Sequence, residues 1–358
     1  MGPVMVMAGG TGGHIFPALA VARRLMEAGT EVFWLGTPKG LESTLVPQQG
    51  IAMEWIQVEG LRGSGILRLL KAPFKLALAL FQTFRVIRRR RPAAVLGMGG
   101  FASGPGGLMA WLLGVPLVVH EQNKVPGLTN QWLSRMARRV FEAFPGSFPA
   151  DRSAEACGNP VRPEISGLSS PSERFAGRGE TVHLLVLGGS LGAQVLNKTV
   201  PEALVDLVGE VKIQVLHQAG KRTLAEARNA YAENGVQAEI VEFIDDMADA
   251  YGRADLVVAR AGALTLSELA AAGVGSILVP YPHAVDDHQT KNAAWLVDAG
   301  AALVLPQAEL TAKHLRESLQ PLLKNRAQLL AMAEAARNIA RTDADRIVAG
   351  ACLEAART

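Results

Sequence analysis

The sequence predicts an α/β protein of two doubly wound domains, each a parallel sheet covered by helices. Three observations carry that prediction. Short apolar runs alternate with helical patterns almost from end to end. The runs are continuous rather than alternating, as strands buried on both faces of a parallel sheet require. The scheme also occurs twice, each half opening with a strand that runs into a glycine-rich loop.

In the first half, strands are expected at 4–7, 32–35, 95–96 and 117–119, each followed by a polar or glycine-rich turn and a helical pattern. In the second half they are expected at 184–187, 212–216, 239–241, 256–258 and 276–279. Between the halves, 143–179 carries Pro145, Pro149, Pro160, Pro163 and Pro171 among Gly and Ser, and reads as linker and hinge. An Ala-rich helical pattern over 328–357 could pack on either domain.

A chain of 358 residues exceeds one ordinary domain, and 49% hydrophobic with 19% charged residues suits a packed enzyme rather than a disordered chain. Cys157 and Cys352 show no metal or redox spacing, so free thiols in a reducing cytoplasm are expected. The start runs straight into a strand without the features of a secretory signal. No uninterrupted apolar run is long enough to predict a membrane span.

The two glycine loops are Gly9-Gly10-Thr11-Gly12-Gly13 and Gly188-Gly189-Ser190-Leu191-Gly192. Such a loop opening a helix presents bare N–H groups and the positive end of the helix dipole, a seat for phosphate. Neither has the Gly-Lys-Ser/Thr ending of a P-loop. The first lacks the third glycine of the dinucleotide fingerprint, and no acid ends the second strand, which leaves an NAD enzyme as runner-up. A tight βα turn without a ligand is the plain alternative for either loop. A third run, 97–107, holds six glycines and reads as a close helix–strand contact or as backbone lining the mouth of a cleft. Residues 260–268 read as a loop entering a helix, whose N–H groups could meet a diphosphate. Glu268 falls in the first helical turn on this reading. There it would offer a carboxylate to vicinal hydroxyls, or simply favour the helix dipole.

These residues together resemble the MurG family of peptidoglycan N-acetylglucosaminyltransferases. The resemblance rests on Gly9 to His14, Gly97-Met98-Gly99-Gly100-Phe101 with Ser103-Gly104-Pro105, and His120-Glu121-Gln122-Asn123. It continues through Gly158-Asn159-Pro160-Val161-Arg162, Gly188-Gly189-Ser190, Phe243 to Met247, and Arg260 to Glu268, in order over nearly the whole chain. It implies a GT-B fold, two Rossmann-like domains with parallel sheets facing a deep cleft. Residues 1–160 would bind acceptor and membrane, 161–340 would bind the donor UDP-GlcNAc, and the last helix, about 341–358, would pack back on the first domain. Carried onto matching positions, the backbone of Ile244 would read uracil and Glu268 the ribose hydroxyls. Arg162, Ser190 and the N–H groups of Ala263, Leu264 and Thr265, in the segment continuing through Leu266 and Ser267, would hold the diphosphate. Gln289 and Asn292 would contact the GlcNAc hydroxyls, with Thr11, Gly12, Gly13 and Asn123 closing from the first domain. One local departure is His288, where some members have a second Gln.

The implied reaction is attack by the C4 hydroxyl of MurNAc in lipid I on C1 of GlcNAc, with inversion, giving lipid II and UDP. It needs a base, in-line placement and stabilisation of the leaving diphosphate. His14 is the candidate base, with a structural role at the helix start as the alternative. Glu121 is the rival base, or else a carboxylate that orients its neighbours. No cofactor or metal is expected: Arg162, Ser190 and helix N-termini could stabilise the diphosphate. The pairs Asp245-Asp246 and Asp286-Asp287 read as loop or cap acids.

Residues 61–92 contain no Asp or Glu but many Arg and Lys, including Arg68, Lys71, Lys75, Arg88 and Arg89, interleaved with Ile66, Leu67, Leu70 and Phe74. An apolar stripe with basic flanks suits the interface of an anionic membrane, and interleaved aliphatics argue for lipid over nucleic acid. Packing on the sheet is the alternative. Expected partners are therefore UDP-GlcNAc, lipid I, an anionic membrane surface and other cell-wall or division proteins. The expected location is the cytoplasmic face of the bacterial inner membrane.

Overall fold

The computed structural model describes residues 2–58, 66–189, 192–284 and 287–357, with backbone alone over 66–71. The chain divides into two compact units, Met1–Val161 with Thr342–Thr358, and Arg162–Arg341.

In the first unit the strands are β1 (Val4–Met7), β2 (Val32–Gly36), β3 (Ala52–Trp55), β4 (Ala94–Gly97), β5 (Leu117–Glu121), β6 (Arg139–Glu142) and β7 (Glu155–Ala156). They form one parallel sheet in the order β3-β2-β1-β4-β5-β6-β7. Val4 of β1 pairs with Val32 on one side and Ala94 on the other, so the order reverses at β1. Ligands of such sheets sit beyond the carboxyl ends of the strands at that reversal. Val4 and Val6 belong to a core on one face, Met5 and Met7 to a core on the other. That two-sided burial is why β1, β2, β4 and β5 read as continuous apolar runs.

The second unit repeats the plan with β8 (Val182–Leu187), β9 (Ile213–Gln218), β10 (Glu239–Val241), β11 (Leu256–Ala259), β12 (Gly275–Leu278) and β13 (Ala302–Val304). Its parallel sheet runs β10-β9-β8-β11-β12-β13, with the reversal at β8.

Four of these strands are not among those expected from the sequence. β3 is a half-exposed Ala-Met-Glu-Trp, β6 is bracketed by Arg139 and Glu142, and β7 and β13 are very short. The expected linker at 143–179 also needs correction. Its first part carries β7 and belongs to the first unit, while Pro163 and Pro171 open the short helices Pro163–Ser166 and Pro171–Ala176 of the second. Proline is at home in a first helical turn, and Ser170 and Glu173 complete a capping box, so a proline-rich composition here marks helix starts.

The final helix, Ala344–Ala355, packs on Gly12–Glu27: Val348 and Cys352 share a core with Ile15, Val21 and Leu25. Arg24 Nε donates to Asp345 Oδ2 at 2.6 Å beside that core. Cys157 and Cys352 are buried and unbridged, and burial pushes the Cys352 thiol up to about 12.

Candidate functional site

In the first unit, the carboxyl ends of β1, β4 and β5 bring three quoted segments together. After β1, Gly10 turns through φ +89° and Thr11 enters the helix Gly12–Glu27 in extended conformation, without a side-chain cap bond. Glu42 holds this loop from below, a role its sequence context does not announce. Its buried carboxylate accepts the Gly10 N–H at 3.2 Å, the Thr37 N–H at 3.0 Å and the Thr37 hydroxyl at 2.7 Å. The glycine run after β4 has two jobs. A Cβ on Gly100 would stand 2.6 Å from the Gly9 carbonyl oxygen, and one on Gly99 would stand 2.9 Å from the His14 ring. Further along, a Cβ on Gly107 would meet Leu133 at 2.6 Å. Gly99 and Gly100 thus let two loops interlock, while Gly107 lets a helix lie close to its neighbour.

His14 lies two residues into its helix, with Nδ1 2.5 Å from Gln122 Oε1. Gln122 Nε2 in turn reaches His120 Nδ1 and the His120 carbonyl, both at 3.0 Å. His120 Nε2 meets the Gly158 carbonyl at 2.8 Å. Burial holds the His120 imidazole down to about 4, against the smaller opposing effect of that carbonyl. Gln122 sits inside a quoted motif, yet nothing in the sequence gives it this task. Glu121 is buried and fully engaged: Oε1 accepts from Asn123 N at 2.9 Å and Asn123 Nδ2 at 3.3 Å, and Oε2 from Asn130 Nδ2 at 2.9 Å and Gly127 N at 3.1 Å. These four bonds fit the reading of Glu121 as a carboxylate that orients its neighbours.

In the second unit, Gly188 and Gly192 bracket the loop after β8. A Cβ on Gly188 would lie 2.8 Å from Ala193 N, and Gly192 takes φ +79° against Ala219 and Thr223. Ser190 lies outside the described residues. The helix Ala263–Ala272 starts after Gly262, which is extended and supplies no side-chain cap, so the first-turn N–H groups of Ala263, Leu264 and Thr265 are presented by backbone alone. Glu268 is the sixth residue of that helix rather than part of its first turn, because the helix begins only at Ala263. The dipole alternative for Glu268 weakens accordingly. Its buried carboxylate accepts Arg162 Nη2 at 2.8 Å and Nε at 3.1 Å on Oε1, and the Tyr251 hydroxyl at 3.3 Å on Oε2. Burial raises the Glu268 carboxyl above its usual range, with Arg162 and the Tyr251 hydrogen bond opposing. Tyr251, fully buried and likewise raised by burial, had no signal in the sequence.

Other residues of the second unit divide between site and scaffold. Arg260 spends its guanidinium on Val279 O at 3.1 Å, Pro280 O at 3.3 Å and Gln307 Oε1 at 2.6 Å, so it pins loops. Ile244 lies between β10 and the helix Met247–Arg253, which Asp246 caps by accepting Asp249 N at 2.9 Å. Gln289 and Asn292 both lie in the helix His288–Asp298, Gln289 accepting Tyr281 N at 2.9 Å and Asn292 buried. Asp287 stands at the N-cap position of that helix, where its side chain accepts the Thr290 hydroxyl at 2.7 Å and makes no cap bond to backbone, and Asp286 lies outside the described residues.

The basic, apolar stretch folds as the helix Ile66–Arg90. The side chains of Ile66, Leu67, Arg68, Leu70 and Lys71 lie outside the described residues. Ala79, Thr83, Val86 and Ile87 face the core, while Phe74 is 79% and Phe81 57% exposed. Arg88 is exposed, whereas Arg89 pairs with Glu54 and Arg90 Nε lies 3.3 Å from the same carboxylate. The neighbouring helix Ser103–Leu112 exposes Trp111 and Leu112, and the next, Leu128–Leu133, exposes Leu128 and Trp132. Among the described residues, no helix is long and apolar enough to cross a membrane.

Two Rossmann-like units, each with interlocked or glycine-bracketed loops at its strand ends, define the GT-B class of fold. The chain matches the glycosyltransferase family 28 N-terminal domain over residues 4–142 and the family's C-terminal domain over 183–347. It is 56% identical over 353 residues to the UDP-N-acetylglucosamine--N-acetylmuramyl-(pentapeptide) pyrophosphoryl-undecaprenol N-acetylglucosamine transferase of Nitrosococcus oceani, covering 99% of this chain and 98% of that one. The crystal structure of Acinetobacter baumannii MurG superposes with a TM-score of 0.88 at 42% identity, covering 99% of this chain and 100% of that one. The calicheamicin glycosyltransferase CalG4, 18% identical with a TM-score of 0.68 over 100% of this chain and 97% of its own, shares the fold. The chain belongs to the MurG family of N-acetylglucosaminyltransferases.

Proposed function

We propose that this enzyme transfers GlcNAc from UDP-GlcNAc to the C4 hydroxyl of MurNAc in undecaprenyl-pyrophosphoryl-MurNAc-pentapeptide, with inversion. Full-length identity of 56% to a transferase named for this donor and acceptor carries the assignment. The second unit takes the donor: Glu268 grips the ribose hydroxyls, Ile244 reads uracil, and Arg162, Ser190 and the Ala263–Thr265 N–H groups hold the diphosphate. Gln289 and Asn292 contact the sugar. Thr11, Gly12, Gly13 and Asn123 of the first unit are also assigned to the donor. His14 is the base in preference to Glu121, whose two oxygens already accept four hydrogen bonds. No metal is assigned to the step, since fixed cationic and N–H donors suit a leaving diphosphate.

The same reading places the enzyme at the cytoplasmic face of the cytoplasmic membrane, beside other cell-wall and division proteins. Support comes from Phe74, Phe81, Trp111 and Trp132, large apolar side chains left exposed on three successive helices, the first of which also exposes Arg88. The testing experiment supplies UDP-GlcNAc and a short-chain acceptor analogue. A β-linked disaccharide with stoichiometric UDP is expected, and His14→Ala should lower kcat by about 10²–10⁴. No product with this donor, but product with another nucleotide sugar, would overturn the assignment.

A further inference from the structure

We propose that Gln122 and His120 set the tautomer of His14, holding its proton on Nδ1 so that Nε2 is the nitrogen that takes the acceptor's proton. The proposal rests on His14 as the base and concerns what stands behind it. The chain of inference starts at a group with one possible role. The Gly158 carbonyl can only accept, so His120 Nε2, 2.8 Å away, carries the hydrogen. His120 is fully buried and, with its imidazole held down to about 4, neutral at neutral pH. Its Nδ1 is therefore bare and can only accept.

Two acceptors now fix the Gln122 amide. Its Nε2 faces both His120 Nδ1 and the His120 carbonyl oxygen at 3.0 Å. Turned over, the amide would press its own oxygen against both, with no hydrogen in either gap. The amide oxygen is thus committed to His14 Nδ1 at 2.5 Å, and because it only accepts, Nδ1 must donate. A neutral imidazole with hydrogen on Nδ1 has its lone pair on Nε2. Gly99 completes the arrangement: its bare Cα lies against the His14 ring, where a Cβ would come within 2.9 Å of Nδ1 and Cε1.

In the transfer, Nε2 accepts the hydroxyl proton as the acceptor oxygen bonds to C1. The C1–O bond to the diphosphate breaks, and its electron pair leaves with UDP. The imidazolium then carries hydrogen on both nitrogens, with Nδ1–H still donating to the amide oxygen, and Nε2 returns its proton to solvent. Gln122 and His120 touch no reacting atom on this account and are positioning residues.

The test is ¹⁵N NMR of the full chain labelled at its seven histidines, with the His14 signals assigned through His14→Asn. Wild-type His14 should show a pyrrole-like Nδ1 and a pyridine-like Nε2 at a pH where the ring is neutral. A protonated Nε2 in the neutral ring overturns the proposal without any variant being made. Gln122→Leu should release the tautomer and lower kcat by about tenfold or more while the KM for UDP-GlcNAc stays put. Gln122→Met, which fills the same space without an amide oxygen, should release the tautomer as Gln122→Leu does; an Nδ1–H form retained in both variants would count against the amide oxygen as its cause. Full kcat in His14→Ala, with the wild-type tautomer as expected, would remove the base assignment and leave the tautomer control standing.

Discussion

Arg162 and Glu268 form a one-sided clamp: Nε and Nη2 of the guanidinium both donate to Oε1, leaving Oε2 to the Tyr251 hydroxyl at 3.3 Å. The guanidinium side is 40% exposed and the carboxylate side 7%, so a charged acceptor is kept nearly dry by a partner that still reaches solvent. Oε2, with its longer contact, is the oxygen better placed to take a new donor.

The first prediction concerns donor affinity. Glu268→Ala should weaken UDP-GlcNAc binding about ten- to hundredfold, the effect of removing a charged acceptor worth about 1.5–3 kcal/mol. Tyr251→Phe should change it far less, since the carboxylate remains. Calorimetric titration of the purified variants measures both, and equal dissociation constants for Glu268→Ala and parent would remove Glu268 from the ribose.

A second prediction follows from the raised Glu268 carboxyl. A carboxyl whose folded pKa lies above its unfolded value of about 4.5 binds more protons folded than unfolded. Its contribution to stability is therefore complete below that value and is lost as pH rises through the folded one. Arg162→Gln removes the opposing cation and should push the folded value higher. The difference in Tm between parent and Arg162→Gln should be small at pH 4 and widen as pH rises above about 4.5. Adding Glu268→Gln should cancel that widening. A Tm difference independent of pH would mean the pair is not coupled to folding.

How much of this was legible in the sequence depends on burial. Val4 to Met7 and Leu256 to Ala259 are buried on both faces and announce themselves as strands. Ala52 to Trp55 lies at a sheet edge, half exposed, and carries no such signal. The motif glycines were legible as positions of close approach, but only coordinates reveal that Gly100 meets Gly9 and Gly99 meets His14. Glu42, 32 residues from the Gly10 N–H it accepts, and Gln122, 108 residues from His14, act through long-range hydrogen bonds that leave no local pattern. Glu268 lies one turn later in its helix than its sequence context suggests, because the extended Gly262 delays the helix start.

The loop interlock yields a third prediction. Gly100 and Gly114 both have positive φ, +86° and +72°, but a Cβ on Gly114 meets nothing within 4 Å. Gly114→Ala should pay only the left-handed penalty of about 1–2 kcal/mol. Gly100→Ala adds a 2.6 Å clash with the Gly9 carbonyl oxygen, so it should lower Tm further and reduce kcat/KM by displacing the first loop. Thermal melts and steady-state rates of the two variants compare the effects. Equal Tm losses with normal turnover in both would show that the loops are not interlocked.

Chelation provides the fourth. On the proposal that Arg162 and helix N–H groups meet the diphosphate charge, exhaustive dialysis against EDTA should leave kcat and the KM for UDP-GlcNAc unchanged. A loss of turnover restored by Mg²⁺ or Mn²⁺ would assign the leaving-group role to a metal instead.

The fifth concerns the membrane surface, where the two kinds of side chain respond differently to salt. Basic residues near an anionic bilayer contribute about 1 kcal/mol each, and the attraction decays within a Debye length of about 8 Å at physiological salt. Binding to vesicles containing phosphatidylglycerol should therefore be strong at low salt and fall steeply as salt rises. Arg88→Ser should flatten that fall more than Arg89→Ser, because Arg89 is already paired with Glu54. Phe74→Ser and Trp132→Ser, 79% and 65% exposed in the parent, should weaken binding by a similar factor at low and high salt, since their share comes from buried apolar area. None of these changes should alter turnover of a short-chain acceptor analogue in solution. Vesicle flotation across a salt series, with the solution assay alongside, separates the two contributions. A parent enzyme that stays unbound to anionic vesicles at every salt concentration, while turning over the short-chain acceptor normally, would show that these exposed side chains serve some other surface.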